Sequence, residues 1–266
     1  GALRQAAGLW REFVPIALHV NYWDHLGWRD ALASKSFTDR QRAHAAAWRA
    51  SSVYTPCFVR NGVEWRPGDP AAIGGRATGD AGLLTLRWNP AANSGAIEFT
   101  PVRTTRIGPE LNASVALLGG GIVSKVRQGE NAGRELRHEF VVLRLETVAL
   151  QRGANGVWTA RIALAPRPDI PVTRRALATW VVPRGTLVPV QAAGDLLVGQ
   201  PAPQNRGLAA RHRAQFQQTA RGQPFEHRAR LGHAKQRRAV HPLPGAPHRA
   251  HQRARTDPET GGFLAH

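Results

Sequence analysis

The run Phe13-Val14-Pro15-Ile16-Ala17-Leu18-His19-Val20 is apolar without alternation, and it breaks abruptly into Asn21-Tyr22-Trp23-Asp24-His25-Leu26-Gly27-Trp28. A short run of this kind is the pattern of a strand covered on both faces, so it demands a layered and partly parallel sheet. Aromatics, an acid and a histidine follow at once, which marks the loop at its carboxyl end as a place for chemistry. Upstream, Ala2, Leu3, Ala6, Ala7 and Trp10 recur at helical spacing around Gly8 and predict a helix over residues 2–12.

Downstream, Thr38-Asp39-Arg40-Gln41 has the form of a capping box. It predicts a helix from Asp39 to about Ala50, with Ala43, Ala46, Ala47 and Ala50 on one face. Residues 53–65 then read as two short strands about the Asn61-Gly62 turn. Strand, helix, strand, turn, strand is an α/β unit.

The texture changes from Leu83 to about Ala192, where short strand-like runs alternate with Gly, Pro and Asn. The candidates are residues 96–102, 114–118, 122–126, 140–150, 157–164, 177–182 and 187–192. Period-two alternation, as in Trp158, Ala160, Ile162 and Leu164, predicts a mainly antiparallel sandwich with one wet face. With a boundary near residues 70–82, three parts are expected: an α/β domain over 1–80, a β-rich domain over 81–197 and a tail over 198–266.

Charge separates the tail from the body. The chain of 266 residues carries +18, and from Pro201 onward 12 Arg or Lys face 3 Asp or Glu, half of that excess, with 7 of the 11 histidines. No basic cluster interleaved with stacking aromatics occurs in the body, so nucleic-acid binding is not expected there. The tail is the candidate for contacting nucleic acid or an anionic surface. It buries too little apolar surface to offset its ordering entropy and is expected to be disordered. Its mix of Arg, His, Gln, Ala and Pro is also what a reading-frame shift in a GC-rich coding sequence produces.

Cys57 is the sole cysteine, which excludes an internal disulfide and a cysteine-rich zinc site. The longest uncharged run, residues 111–124, falls short of the roughly 20 residues that span a bilayer. The chain begins at Gly1 and has no methionine, so it reads as a fragment or processed product without a signal peptide, cytoplasmic if expressed as given. Nothing specifies a cofactor or an oligomeric state.

Several segments together resemble the secreted, thioredoxin-like Domain of Unknown Function family 1223. They are His19-Val20-Asn21-Tyr22-Trp23-Asp24 with Leu26-Gly27-Trp28, Phe37-Thr38 through Arg42, Val53-Tyr54-Thr55-Pro56 with Asn61-Gly62, and Arg127-Gln128-Gly129-Glu130-Asn131-Ala132-Gly133-Arg134 followed by Leu136 and Val141-Val142. The likeness covers roughly residues 1–195. It implies a thioredoxin-like α/β domain lacking its central strand, followed by a β-sandwich. It also implies an extracytoplasmic role in thiol-disulfide exchange on protein thiols or disulfides. The family's Cys-Ser-Ser-Cys-Pro-Pro motif is absent, so this chain is expected to be inactive in that exchange. Asn21 stands where the family usually has Asp, and Cys57 where Gln is usual. The resemblance further makes Thr55-Pro56 a cis-proline loop that orients an extended substrate. His19, Tyr22, Trp23, Asp24, Tyr54, Thr55 and Pro56 would then line the groove.

Each of these residues also has a plainer reading. Cys57 is either a lone nucleophile or a small buried residue. His19, Asp24 and His25 supply either a general base or a core histidine and a surface pair, and two histidines without a third ligand do not specify a metal. Tyr22, Trp23 and Trp28 line a groove or pack between sheet and helix. Gly119-Gly120-Gly121 lacks the rest of a phosphate loop and predicts a hairpin turn. Glu130, Asn131 and Arg134 either face the first domain and complete a groove or lie on a surface loop.

Overall fold

The computed structural model describes residues 2–27, 29–66, 81–128, 132–197, 206–210, 215–221 and 240–242. The first part contains β1 (Phe13–Val20), β2 (Ala33–Ser34), α1 (Lys35–Ala47), β3 (Ser52–Tyr54), β4 (Cys57–Arg60) and β5 (Val63–Glu64). Next come β6 (Gly82–Asn89), β7 (Ser94–Pro101), β8 (Leu111–Gly120), β9 (Ile122–Lys125), β10 (Glu135–His138), β11 (Val141–Ala149) and β12 (Gln151–Arg152). Then follow β13 (Trp158–Ala163), β14 (Arg174–Pro183), β15 (Gln191–Leu197), β16 (Arg206–Ala210), β17 (Gln215–Arg221) and β18 (Val240–Pro242).

All eight residues of β1 are buried, as its unbroken apolar pattern requires. Its sheet has the order β15-β14-β8-β11-β1-β17-β4-β5, with β2 also beside β1. β1 runs parallel to β11 and β17, whereas β8, β11, β14 and β15 pair antiparallel. A second sheet, β12-β13-β7-β6-β16, lies against it. Leu84, Leu86, Ile97, Phe99 and Trp158 of the second sheet pack against Ala113, Val115, Leu143, Leu177 and Val181 of the first. Buried Gln191 clips the layers together by donating from Nε2 to the Gly82 carbonyl at 2.7 Å.

The opposite face of the large sheet holds a second core of Val14, Ile16, Leu18, Leu118, Val142, Ala178, Trp180 and Phe37 of α1. The sheet curls around this core, so that Gly194 of β15 lies against Trp10 and Val14. Arg40 of α1 places its guanidinium 5.6 Å from the centre of the Trp180 ring, and burial pulls its pKa down to about 10.

These observations correct the expected fold class. Among the described residues the chain is mostly β, with one α-helix and without a thioredoxin-like α/β core. The error is physical: an apolar run buried on both faces is required of a strand in a helix-covered parallel sheet and equally of one inside a curled, layered β structure. β1 is of the second kind, joined to β11 of the sandwich strands through the Ala17 amide and the Phe140 carbonyl at 2.7 Å. The N-terminal helix is only a 3-10 turn over Ala2–Gln5.

Within the expected tail, the described residues form β16, β17 and β18, which extend or fill three sheets. β17 pairs through seven residues with β1 and through four with β4, the two neighbours that offer backbone donors and acceptors. Backbone pairing makes no demand for apolar side chains, which is why composition misses it. Most of the tail, and most of the expected boundary near 70–82, lie outside the described residues.

Two local expectations change as well. Ser34, not Thr38, caps α1, accepting the Ser36 amide. The glycine triplet is not a hairpin: β8 pairs with β11 and β14, β9 with β10, and Gly121 turns the chain between sheets with φ +70°.

Candidate functional site

Alternation along β1 sends Leu18 and Val20 to the α1 side of the sheet and His19 to the other. His19 is 1% exposed, and its Nδ1 lies 2.6 Å from Oδ2 of Asp30. Asp30 also accepts the Leu32 amide at 2.9 Å, while its own amide donates to Oδ1 of Asp24 at 3.2 Å. Burial alone would push the Asp30 carboxyl up. The His19 hydrogen bond and charge, with the Leu32 amide and His138, outweigh it and hold Asp30 below its ordinary value.

The β9–β10 hairpin closes this cluster. The His138 ring lies edge-on to His19 with centroids 5.2 Å apart, and its Nε2 is 3.1 Å from Ser124 Oγ. Gly27, at φ +93°, has no Cβ where one would meet Oε1 of Gln128 at 2.5 Å. The loop after β1 is therefore clasped by the segment leading into residues 129–134.

On the α1 side, Val20, Trp23, Cys57 and Val59 form a small core, with Tyr22, Trp48 and Tyr54 packed against it. Trp23 Nε1 donates to Thr55 Oγ1 at 3.0 Å, and Gln41 Nε2 donates to the Tyr54 carbonyl at 2.8 Å. Thr38 Oγ1 accepts the Asn21 amide at 3.0 Å and donates to Asn21 Oδ1 at 2.7 Å. The two polar ends of the expected capping box thus bind the β1 loop and the β3 end instead of capping α1. Thr55-Pro56 is a cis peptide. Tyr54 donates its hydroxyl proton to Glu64, which also accepts Arg66 Nε at 3.0 Å.

Burial sets the acid-base state of this pocket. It raises the Tyr22 phenol to about 12, and together with hydrogen bonding to Glu64 it raises Tyr54 above its ordinary range. The Cys57 thiol is 3% exposed and is pushed up to about 11, chiefly by burial and next by the charge of Glu64. His19 lies on the far face of the sheet and does not activate it.

The structure therefore brings Tyr22, Trp23, Tyr54, Thr55 and Cys57 together and leaves Pro56 exposed beside them. It places His19 and Asp24 in the separate buried polar cluster. His25 is exposed and donates from Nδ1–H to the Tyr22 carbonyl at 2.8 Å. Arg134 is exposed, whereas Trp28, Glu130 and Asn131 lie outside the described residues. Sequence reasoning missed Asp30, His138, Ser124 and Glu64, because each meets its partner only through tertiary contact. Gln41 carried a signal, but it was assigned to the wrong partner.

Fold and site define a mostly β protein, a curled mixed sheet backed by an antiparallel one, with a polar cluster and an aromatic pocket on either face of one strand end. The family described as Protein of unknown function (DUF1223) matches residues 2–181, and the chain belongs to that family. Among solved structures, a structural-genomics crystal structure of a protein from Agrobacterium tumefaciens is similar, with 19% identity over 73% of this chain and 83% of that one and a TM-score of 0.44. No curated protein matches.

Proposed function

We propose that this chain is a polypeptide-holding component of an extracytoplasmic thiol-disulfide system and does not itself exchange disulfides. An extended segment rests on Tyr22, Tyr54, Thr55 and exposed Pro56, with Trp23 and Cys57 as the floor. The observation that carries the inert half of the reading is the state of Cys57. With the chain's only thiol raised to about 11, roughly one molecule in ten thousand is thiolate at pH 7, and the thiolate is the reactive form. The redox setting of the partner rests on the family resemblance of the Thr55-Pro56 segment.

The test pairs an activity assay with a binding assay. Insulin reduction by dithiothreitol should be no faster with the chain than without it, and Cys57 should react with an aromatic disulfide reagent only after unfolding. A fluorescein-labelled, reduced and carboxymethylated polypeptide should bind, and Tyr22→Ala should weaken it roughly tenfold, about 1.4 kcal/mol. Robust insulin reduction would overturn the inert half, and no binding at 100 μM on the order used for weak complexes would overturn the holding half.

A further inference from the structure

We infer that the solvent face of the smaller sheet carries a binding groove for an oxyanion, phosphate or carboxylate, borne on a small hydroxyl-rich molecule. Strand register builds it. On that face Arg87 of β6, Ala96 of β7 and Arg161 of β13 stand directly opposite one another. The next row is Thr85, Glu98 and Thr159, and the row on the other side is Asn89, Ser94 and Ala163. Ala96 is small, so the middle strand forms the floor and the two arginines the walls.

A depression of about 540 Å³ runs over Thr85, Arg87, Ala96, Glu98, Thr159 and Arg161. An adjoining one shares Arg87, Ala96 and Arg161 and reaches Asn89 and Ser94. That volume suits a small ligand. The arginine backbones are two strand spacings apart, roughly 10 Å, a separation that one oxyanion bridges when the two long side chains lean over Ala96. Their guanidiniums present paired donors that match an oxyanion.

Charge in the groove is only partly compensated. Glu98 is the carboxylate in it, 3.9 Å from Arg87, and both side chains are well exposed. Arg161 is exposed and makes no ion pair with any described residue. Around the arginines the polar lining is Thr, Ser, Asn and Gln151, donors and acceptors for hydroxyls, beside the small apolar Val148, Ala149, Ala160 and Ala163, and no aromatic ring lines either depression. A polar molecule with one anionic group fits this lining better than a flat apolar one.

The full chain, labelled with 15N at low ionic strength, would be titrated separately with sodium phosphate, glucose 6-phosphate, glucuronate and glucose. Saturable shifts of the Ser94, Ala96 and Arg161 amides with the anions, and none with glucose, are expected. A glucose 6-phosphate response stronger than that of phosphate identifies a phosphorylated source, and a stronger glucuronate response a carboxylated one. Arg161→Gln should weaken binding at least roughly tenfold and Arg161→Lys less, because the charge is kept and the fork lost. Arg161 is exposed, so unchanged melting curves verify folding. Unsaturable shifts, shifts spread over the surface, or an Arg161→Gln variant that binds like the parent would overturn the inference.

Discussion

Replacing Asp30 by Asn tests whether the polar cluster at the end of β1 is a structural clasp. Asp30 accepts from His19 Nδ1 and from the Leu32 amide, and the residue is 7% exposed. An Asn side chain of the same shape has one oxygen, so it can serve one of those donors while its NH2 faces the other. A buried donor left without an acceptor costs about 1–3 kcal/mol. Hydrogen bonds accepted by a charged carboxylate lie toward the upper end of that range. About 3 kcal/mol is therefore expected at pH 7, read as a urea midpoint lowered by roughly 1 M with unchanged slope.

The pH dependence carries its own sign. Asp30 is held below its ordinary value of 3.8 in the folded chain, so its contribution is complete above that value and is lost as pH falls through the folded one. The difference between parent and Asp30→Asn should therefore shrink on acidification from pH 5 to pH 3. A penalty under about 0.5 kcal/mol at pH 7, or one that grows on acidification, would refute the clasp.

Thr38→Val removes both the acceptor of the Asn21 amide and the donor to its side chain. It should cost about 1–2 kcal/mol in denaturant unfolding and speed hydrogen exchange at the Asn21 amide, leaving α1 helical because Ser34 caps it. At Gly121 an added Cβ would sit 1.9 Å from Thr173 Oγ1 at a φ of +70°, whereas at Gly133, φ +81°, nothing lies within 4 Å. Gly121→Ala should therefore cost clearly more than Gly133→Ala, which carries only the backbone penalty of about 1 kcal/mol, and adding Thr173→Ala should recover the steric part alone.

The strands legible in the sequence were those whose side chains declare burial. Phe13 to Val20 and the alternating run from Trp158 both form strands where their patterns place them. The β4–β5 turn follows from Asn61-Gly62, whose φ angles of +50° and +82° are those such a pair adopts readily. The partners of those strands were not legible. β17 enters the large sheet from a segment rich in glutamine because hydrogen bonding to β1 and β4 is a property of the backbone. The candidate site divides in the same way. Tyr22, Trp23, Tyr54 and Thr55 stand out as a local cluster, but Asp30 and His138 reach His19 only through tertiary contact. Thr38 and Gln41 show how a good local motif loses to tertiary demand, since Ser34 is free to cap α1 while Asn21 and Tyr54 have groups to satisfy.

Which chemistry the end of β1 can support is decided by alternation. His19 and Val20 are successive residues and so face opposite sides of the large sheet. Val20 shares its side with Trp23, Cys57 and Val59. His19 shares the other with Asp30 and His138. Register adds separation to this opposition: His19 pairs with Arg221 of β17, and Cys57 of β4 pairs with Ala220, so β17 stands between them. Two strand spacings are roughly 10 Å, beyond the hydrogen-bond reach that a base needs to draw a proton from a nucleophile. A cysteine at the β4 position therefore cannot use the imidazole of β1, however close the two lie in the sheet's order. What does face Cys57 is Glu64, whose charge opposes ionisation of the thiol, together with apolar neighbours that do the same. A reactive thiol at this strand end would have to come from outside the pocket, on the open side left by Pro56.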